Sequence, residues 1–409
     1  MTAPDAGTAS PTVSGRAPLG VPWWTTAAIV LVALNLRPAI VGVGPLLSEI
    51  RADQALSATA GGVLTALPVL CFGLLAPVAP RMSRLIGIER SLLAVLGVIT
   101  VGCVVRLVPA VWALYLGTAL IGAAIASGNV LLPALIKRDF AHRTGMMTAV
   151  YSAAISLGGA LGAAVTVPLA DAAGLGWRLG LGVWVIWGVL GILCWLPQLR
   201  RVARPAVRAP RVRGLGRQAL AWQVTVFMGL QSLGFYAASA WFAEIFVERG
   251  WSPAAAGALV STVSLTGIIG SLGTPVLAAR TRDQRGLSLV VTAIGVAGVG
   301  ATLVPGLEVV ASVVAGISYG AALGLALTYV GVRSPDAAHA AQLSGMSQCV
   351  GYVLAAAGPF AVGALHDLTH GWTVSLVALL ALYVPQGIAG FLAGRDRVLR
   401  IAPPDATAG

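Results

Sequence analysis

An arginine stands in the middle of the first long apolar run of this 409-residue chain, within Leu34-Asn35-Leu36-Arg37-Pro38. An arginine at the centre of a membrane span costs about 2.5–3.5 kcal/mol on the insertion scale, so it usually faces a polar cavity. Pro38 has no backbone donor and frees a carbonyl upstream, which loosens the helix beside Arg37. We therefore predict that Arg37 binds an anionic or strongly dipolar solute, since a guanidinium can hold carboxylate-like groups through two parallel hydrogen bonds. The alternative is a structural arginine that bonds the carbonyls of neighbouring helices.

Other polar side chains occur at membrane depth and are candidates to shape the same site. They are Asn35, Asn129, Tyr151, Gln231, Tyr236, Gln348 and Tyr352. Gln348 and Tyr352 are four residues apart, so they share one face of a helix. Each residue alone could instead form a hydrogen bond between helices, but as a set they are predicted to converge on the solute.

No carboxylate lies at the depth of Arg37. The aspartates and glutamates stand near the ends of the apolar runs or between them. Arg37 therefore has no evident internal counter-ion, which favours a substrate that supplies the negative charge. The same distribution weakens the case for a proton-relay carboxylate in the core.

Several other kinds of site find little support in the sequence. The single lysine, Lys137, is not preceded by the glycine-rich pattern of a P-loop ATPase. His366 and His370 have the spacing of metal ligands, but they fall in a loop with Asp367 and no glutamate base, so we interpret them as solvated residues. The four cysteines fall in four different apolar runs and predict no disulfide framework. We expect no cofactor and no metal.

The elements that carry these residues are predicted to be membrane spans. Of all residues 57% are hydrophobic and only 10% are charged, whereas a soluble domain has about a quarter of its residues charged. Apolar runs of about 20 residues, the length that crosses a bilayer, occur twelve times between Trp24 and Leu392 in two sets of six. The predicted fold class is an all-α polytopic membrane protein with twelve transmembrane helices in two pseudo-symmetric halves.

The basic residues behind the net charge of +12 are concentrated on one side of the predicted membrane spans and do not form a nucleic-acid-binding patch. Of the 26 basic residues, 21 fall in the tails, the central segment or the loops on the same side as the tails. Only Arg51, Arg178 and Arg249 fall in the opposite loops. This asymmetry is the positive-inside pattern, so both termini are predicted to be cytoplasmic.

The two halves resemble each other when the sequence is displaced by 195 residues. Glu49 then meets Glu244 and Ser57 meets Ser252, as a parallel six-plus-six duplication predicts. The predicted units are a disordered cytoplasmic tail (1–22), a six-helix bundle (23–197), an arginine- and proline-rich cytoplasmic linker (198–217), a second bundle (218–394) and a cytoplasmic tail (395–409). The linker could alternatively be a lipid-binding or partner-binding patch.

Glycines spaced by four residues predict close packing between helices. Gly316, Gly320 and Gly324 form one small-residue stripe, and Gly158 with Gly162 forms another. In membranes this spacing usually brings helix backbones together. Its functional meaning would lie only in allowing the helices to rock against each other.

Three stretches resemble the cyanate/nitroimidazole transporter family (CynX/NimT) of the major facilitator superfamily. They are NLRPAI at 35–40, GNVLLPALIKR at 128–138 and LSGMSQ at 343–348, the last followed by Gly351, Tyr352, Gly358 and Pro359. The resemblance implies a plasma-membrane secondary transporter that works by alternating access. It also implies substrates among cyanate-like anions and nitroimidazoles.

Two departures from the wider superfamily are visible. The loop between the second and third spans keeps Arg84 and Gly87 but has Ser83 where an aspartate is expected. The antiporter pattern on the fifth span includes a Gly-Pro pair, but this chain has Gly158-Gly159 there. The missing proline argues against proton-coupled drug efflux. The residues assigned to gating or structure are Pro38, Arg84, Gly87, Gly158, Gly358 and Pro359.

The sequence thus predicts a transporter, not an enzyme, that moves a small anionic or strongly polar solute across the plasma membrane. Its expected partners are that solute, the lipid bilayer and either a coupling proton or a counter-anion, with no nucleic acid and a monomeric state. A drug or metabolite efflux permease of the same superfamily is the alternative. A membrane-embedded enzyme would need a cluster of His, Asp or Glu at one depth, and a sensor would need an output domain.

The predicted topology can be checked by cysteine labelling in a variant with all native cysteines replaced. We expect Ala206→Cys in the linker to resist impermeant thiol reagents on intact cells, because the positive-inside pattern puts it in the cytoplasm. Ala172→Cys, beside Asp171, should react. The opposite labelling of the two positions would reverse the orientation.

Overall fold

The computed structural model describes residues 23–140, 143–172, 176–200 and 214–400, and every regular element in these ranges is helical. The first half contains α1 (Trp23–Asn35), α2 (Pro38–Val41), α3 (Leu47–Gln54), α4 (Ala58–Leu75), α5 (Val78–Ile86), α6 (Ile88–Val105), α7 (Val111–Asp139), α8 (Thr144–Ala172) and α9 (Gly176–Trp195). The second half contains α10 (Ala219–Glu248), α11 (Pro253–Ala278), α12 (Arg285–Ala301), α13 (Glu308–Val332), α14 (Ala337–Thr369), α15 (Trp372–Ala381) and α16 (Tyr383–Ala393). Short 3₁₀ turns occur at Gly44–Leu46, Leu196–Arg200 and Leu215–Arg217. The predicted N-terminal tail and most of the linker and C-terminal tail lie outside the described residues.

These helices form twelve membrane crossings. In the described ranges, ten segments are long and apolar enough to span a bilayer by themselves. The other two crossings are α12, which has 17 residues, and α10, which has 30 residues and carries glutamines and glutamates among its apolar side chains. The interrupted set α1 to α3 counts as one crossing, and so does the pair α15 and α16. The predicted all-α fold with twelve transmembrane helices in two six-helix halves is confirmed.

The first crossing is interrupted at the proline, as the sequence predicts. α1 ends at Asn35, Arg37 takes the N-cap position of α2, and Pro38 is the first residue of α2. In a continuous helix the carbonyl of Ala39 would accept from the N–H four residues later. That N–H, of Val43, donates to Ile40 at 3.2 Å instead. The carbonyl of Ala39 therefore needs a partner from outside its own helix.

The stripe of glycines on α8 packs against this interruption. A Cβ atom at Gly158 would lie 2.6 Å from the carbonyl oxygen of Leu34. A Cβ atom at Gly162 would lie 2.8 Å from the Cα and the carbonyl oxygen of Pro38. Only glycine permits backbones this close, so α8 supports the two sides of the break.

Two helices related by the displacement of 195 residues begin in the same way. The hydroxyl of Ser57 accepts from the N–H of Ala60 at 3.1 Å and caps α4. The hydroxyl of Ser252 accepts from the N–H of Ala255 at 3.2 Å and caps α11. Each serine satisfies one of the donors that a helix N-terminus leaves free. The shared cap supports the duplication inferred from the sequence.

The same displacement relates an arginine at one end of each half, the end predicted to be cytoplasmic. Arg138 at the end of α7 pairs with Glu89 at the start of α6, with 2.6 Å between nitrogen and oxygen. Arg333 at the end of α13 donates to the side-chain oxygen of Gln284 before α12. Arg333, only 2% exposed, also donates to two backbone carbonyls at the end of α16 at 2.9 and 3.0 Å. Each arginine thus holds the ends of the third and fourth crossings of its half together.

The halves meet along two pairs of helices. α4 packs on α14, where a Cβ atom at Gly62 would lie 2.5 Å from the carbonyl oxygen of Pro359. α8 packs on α11, where a Cβ atom at Gly257 would lie 2.6 Å from the carbonyl oxygen of Ala163. The interrupted first crossing and α10 complete the interface and lie between these pairs.

The predicted stripe of Gly316, Gly320 and Gly324 faces α11. Each of the three glycines lies closest to the backbone of one residue of α11, and these three residues are also spaced by four. The residues on α11 are Val263, Gly267 and Ser271. The two backbones are in contact over two turns, so this stripe sets the spacing between α11 and α13.

We expect Gly320→Ala to destabilise the protein by about 1–3 kcal/mol, the usual cost of overpacking a close contact. A Cβ atom there would collide with the carbonyl oxygen of Gly267, a backbone atom that moves only if the helices separate. Gly331→Ala on the same helix is the matched control, because nothing lies within 4 Å of its new methyl group. The comparison uses melting temperatures in detergent. Equal melting temperatures for the two variants would contradict the close contact.

Candidate substrate-binding site

The guanidinium of Arg37 reaches from the first half of the protein to the second. Its Nη1 donates a hydrogen bond of 2.8 Å to the hydroxyl oxygen of Tyr236 on α10. The guanidinium carbon lies 5.6 Å from the centre of the Tyr236 ring, within the range of a cation–π interaction. The Nε of Arg37 is buried and has no hydrogen-bond partner among the described residues. Arg37 thus joins the halves and keeps a donor for a further group.

Aromatic rings from three helices surround this contact. The ring of Phe72 on α4 lies 6.2 Å from that of Tyr236 and 5.5 Å from that of Tyr352 on α14. Tyr236 and Tyr352 are 6.4 Å apart, and Phe235 continues the cluster at 5.2 Å from Tyr236. These separations fall in the range of edge-to-face aromatic contacts. The site therefore combines one cation with apolar, flat walls.

The electrostatic surroundings of Arg37 are uncharged side chains. In the described part of the chain, the side chains that influence its charge most are the hydroxyls of Tyr236, Tyr352 and Tyr151. No carboxylate is among them, as the sequence predicted. A cation in a low-dielectric region without a paired anion favours the binding of an anion or of a strong dipole.

A small cavity lies next to the contact between Arg37 and Tyr236, with a volume of about 20 Å³. Ile40, Val41 and Thr65 line it from the first half, and Tyr236 and Ser239 line it from the second. This is room for about one water molecule, so the cavity must widen before a solute can enter it.

The structure brings together four of the eight residues predicted to bind substrate. Arg37, Tyr236 and Tyr352 form the core of the cluster, and Tyr151 on α8 lies within electrostatic reach of Arg37. These residues come from the first crossing, α8, α10 and α14, so both halves contribute.

Asn35 and Gln231 are not placed with Arg37. Asn35 donates to the Leu31 carbonyl at 2.9 Å and packs on Gly191 of α9, because it is the last residue of α1 whereas Arg37 lies beyond the break and begins α2. The amide nitrogen of Gln231 donates to the carbonyl of Met228 and to the hydroxyl of Ser232, so it is occupied within α10.

The two remaining candidates are Gln348 on α14, which packs on α4 across the interface, and Asn129 on α7 of the first half. Gln348 donates to the hydroxyl of Ser344 at 2.9 Å, one turn from Tyr352. Asn129 on α7 is half-buried, and its side chain makes no hydrogen bond within the described part of the chain. Their contact with a solute stays a prediction.

The residues assigned to gating have mainly local or packing contacts. The Arg84 side chain donates to the carbonyl of Pro80 in its own helix at 3.0 Å. Gly87 joins α5 to α6 with a φ of +84°, a backbone conformation that favours glycine. A Cβ atom at Gly358 would lie 2.7 Å from the carbonyl oxygen of Leu233 on α10. Their part in gating stays a prediction.

Two polar contacts join the halves at the end of the interface beyond Arg37, on the side predicted to be extracellular. Arg51 of α3 forms an ion pair with Glu244 of α10. The carboxylate of Asp367 on α14 accepts from the N–H groups of Ala58 and Thr59 at 2.9 and 2.7 Å. Because Asp367 thereby caps α4 from the other half, these contacts close this end of the protein.

A second arginine near the break in the first crossing was not singled out from the sequence. Arg106 follows α6 and is only 2% exposed. Its Nη1 donates to the carbonyl oxygen of Ala39 at 2.5 Å, and its Nε donates to the hydroxyl of Thr118 at 3.0 Å. The sequence signal that could have identified Arg106 is an arginine between apolar residues at the end of a predicted span.

Comparison with known proteins identifies relatives over almost the whole chain. The sequence profile described as Major Facilitator Superfamily matches residues 26–359. A 2-nitroimidazole transporter of Escherichia coli (strain K12) is 40% identical over 91% of this chain and 96% of its own length. The cyanate transport protein CynX of the same organism is 31% identical over 84% of this chain and 90% of its own length.

A solved structure shares the fold. A bacterial homologue of the human lysosomal transporter Spinster superimposes with a TM-score of 0.73. The match covers 94% of this chain and 99% of that one at 17% identity.

We expect Arg37→Ala to abolish the binding of anions while the protein stays folded, because the guanidinium has no carboxylate partner to leave behind. Arg37→Lys should bind more weakly, since it keeps the charge but loses the planar fork. If Arg37 were a structural strut, Arg37→Ala would leave acceptors unsatisfied and cost about 1–3 kcal/mol. Ligand-induced thermal shifts and apo melting temperatures separate the two outcomes.

Arg178→Ala is the control for this experiment, because Arg178 pairs with Asp53 in an exposed ion pair away from the site. Its ligand-induced shift should equal that of the wild type. A stable Arg37→Ala protein that binds anions normally would remove Arg37 from the site.

Proposed function

The chain belongs to the major facilitator superfamily of membrane transporters, and we propose that it is a secondary transporter for a small, planar or linear solute that is anionic or strongly polar. Cyanate-like anions and nitroimidazole-like compounds are the solute classes. The protein would lie in the plasma membrane with both termini in the cytoplasm. It would work as a monomer, with a proton or a counter-anion as the coupled species.

The observation that carries this proposal is the unpaired guanidinium of Arg37 between the two halves. Its Nη1 is oriented by the hydroxyl of Tyr236, and its Nε is buried without a partner. A solute with a negative oxygen could accept from that Nε and neutralise the charge. Hydrogen bonds to charged groups are roughly twice as strong as neutral ones, so this contact would supply much of the binding energy.

The aromatic walls support a flat solute. Phe72, Tyr236 and Tyr352 present ring faces and edges next to the cation. A nitroimidazole combines an aromatic ring with a nitro group whose two oxygens resemble a carboxylate in geometry. The named activities of the two relatives, transport of 2-nitroimidazole and of cyanate, belong to this chemistry.

The closed end of the interface supports alternating access. For a solute to reach Arg37 from outside, the ion pair of Arg51 with Glu244 and the cap formed by Asp367 on α4 would have to separate. Both contacts are polar and lie at one end, so the halves can rock apart there while α4, α8, α11 and α14 keep their internal structure.

An efflux permease for drugs or metabolites is the second candidate, and the aromatic cluster is the observation in its favour. The cavity of about 20 Å³ next to the Arg37–Tyr236 contact has room for about one water molecule and gives no support to a drug-sized solute. Arg37 also disfavours cations. We therefore rank the small-anion transporter first.

We expect purified protein in sealed liposomes to take up labelled 2-nitroimidazole or cyanate down its gradient without ATP, because the sequence has no P-loop. Liposomes containing Arg37→Ala should show only the leak of protein-free liposomes, while Arg178→Ala should match the wild type. Imposed pH and chloride gradients would identify the coupled species. A strict requirement for ATP, or equal uptake by Arg37→Ala, would overturn the proposal.

A further inference from the structure

Arg106 is a second arginine inside the apolar part of the first half, and its burial requires compensation. It stands at the C-terminal end of α6 and is 2% exposed. In the described part of the chain, no carboxylate interacts with its charge. Lipid offers no acceptors for a guanidinium, so protein atoms must supply them.

The acceptors come from two other crossings. The Nε of Arg106 donates to the hydroxyl of Thr118 on α7, which in turn donates to the carbonyl of Leu114 at 2.7 Å. The Nη1 donates to the carbonyl of Ala39 on α2 at 2.5 Å. Gly117 leaves room for this arrangement, because a Cβ atom there would lie 2.8 Å from the Cγ of Arg106.

The Ala39 carbonyl is the acceptor that the interrupted helix leaves free. Val43, its partner in a continuous helix, donates to Ile40. Arg106 thus replaces a missing backbone hydrogen bond in α2, a helix of only four residues. Such a short helix has little stability of its own, so its position depends on contacts with its neighbours.

Arg37 is the N-cap residue of the same short helix, two residues before Ala39. The position of α2 therefore decides where the Arg37 guanidinium lies relative to Tyr236 and the cavity. We infer that Arg106 is a positioning residue for solute binding, which holds α2 through the Ala39 carbonyl so that Arg37 faces the second half. This inference rests on the proposed role of Arg37 in binding the solute.

The first test measures the position of α2 without any ligand. Val41 on α2 and Ser239 on α10 line the same cavity. In a variant with the native cysteines replaced, Val41→Cys and Ser239→Cys can be bridged by a short bifunctional thiol reagent. We expect Arg106→Lys to lower the yield of bridged protein severalfold, because a lysine cannot bond Thr118 and Ala39 together.

Arg333→Lys is the matched control for this test. Arg333 is also 2% exposed and bonded to backbone carbonyls, but it lies at the cytoplasmic end of the second half. It should lower the melting temperature and leave the bridging yield unchanged. Thr118→Val, which removes one acceptor of Arg106, is a milder second variant in case Arg106→Lys does not fold.

The second test measures the dissociation constant of 2-nitroimidazole and of cyanate by thermal shift. Arg106→Lys should raise it by about tenfold, the size of effect seen when a residue supporting a binding group is lost. In the Arg37→Lys background, which still binds, Arg106→Lys should raise the dissociation constant by less than it does in the wild type, because the two residues act through one contact. Arg333→Lys should leave the dissociation constant as in the wild type.

Unchanged bridging in Arg106→Lys and in Thr118→Val would overturn the inference. The inference would also be overturned if Arg106→Lys and Arg333→Lys both lost affinity in proportion to their loss of melting temperature. Equal affinity of the wild type and Arg37→Ala would instead refute the proposed function. In that case the bridging yield still decides whether Arg106 holds α2.

Discussion

A guanidinium placed among membrane helices must find its hydrogen-bond acceptors inside the protein, because hydrocarbon has none. Much of the architecture around the first crossing follows from this requirement. Pro38 interrupts the helix and frees backbone carbonyls, and Arg106 bonds one of them at Ala39. Arg37, on the other side of the interruption, turns to the hydroxyl of Tyr236 in the opposite half. Both arginines keep one buried nitrogen without a partner, Nη2 of Arg106 and Nε of Arg37, but Arg106 bonds only within the first half whereas Arg37 reaches the second.

The interruption is stable because neighbouring helices support it closely. Gly158 and Gly162 of α8 bring that helix into backbone contact with Leu34 and Pro38. A larger side chain at either glycine would push α8 away from the break. Close backbone packing of this kind is the main attraction available between helices in lipid, where the hydrophobic effect contributes little. The polar site is therefore supported by a surrounding apolar shell.

The duplication of the halves extends to the arginines at the helix ends but not to the proposed binding site. Arg138 and Arg333, 195 residues apart, hold corresponding helix ends. Arg37, displaced by the same amount, meets Ser232, so the second half has no equivalent cation. The first half supplies the charge, and the second supplies Tyr236 and Tyr352. This asymmetry would let the proposed site bind one solute in one orientation while the halves rock about it.

The sequence by itself determined the crossings, the duplication and the family resemblance, and it singled out Arg37 and Pro38. Those properties depend on local composition, since a bilayer sets the length of each apolar run and makes an isolated charge conspicuous. The partners of that charge were decided only by the tertiary structure. Asn35 is two residues from Arg37 yet faces α9, whereas Tyr236 is 199 residues away and bonds it. Side-chain direction around a broken helix and the packing of two halves are not local properties, so no pattern in the chain could reveal them.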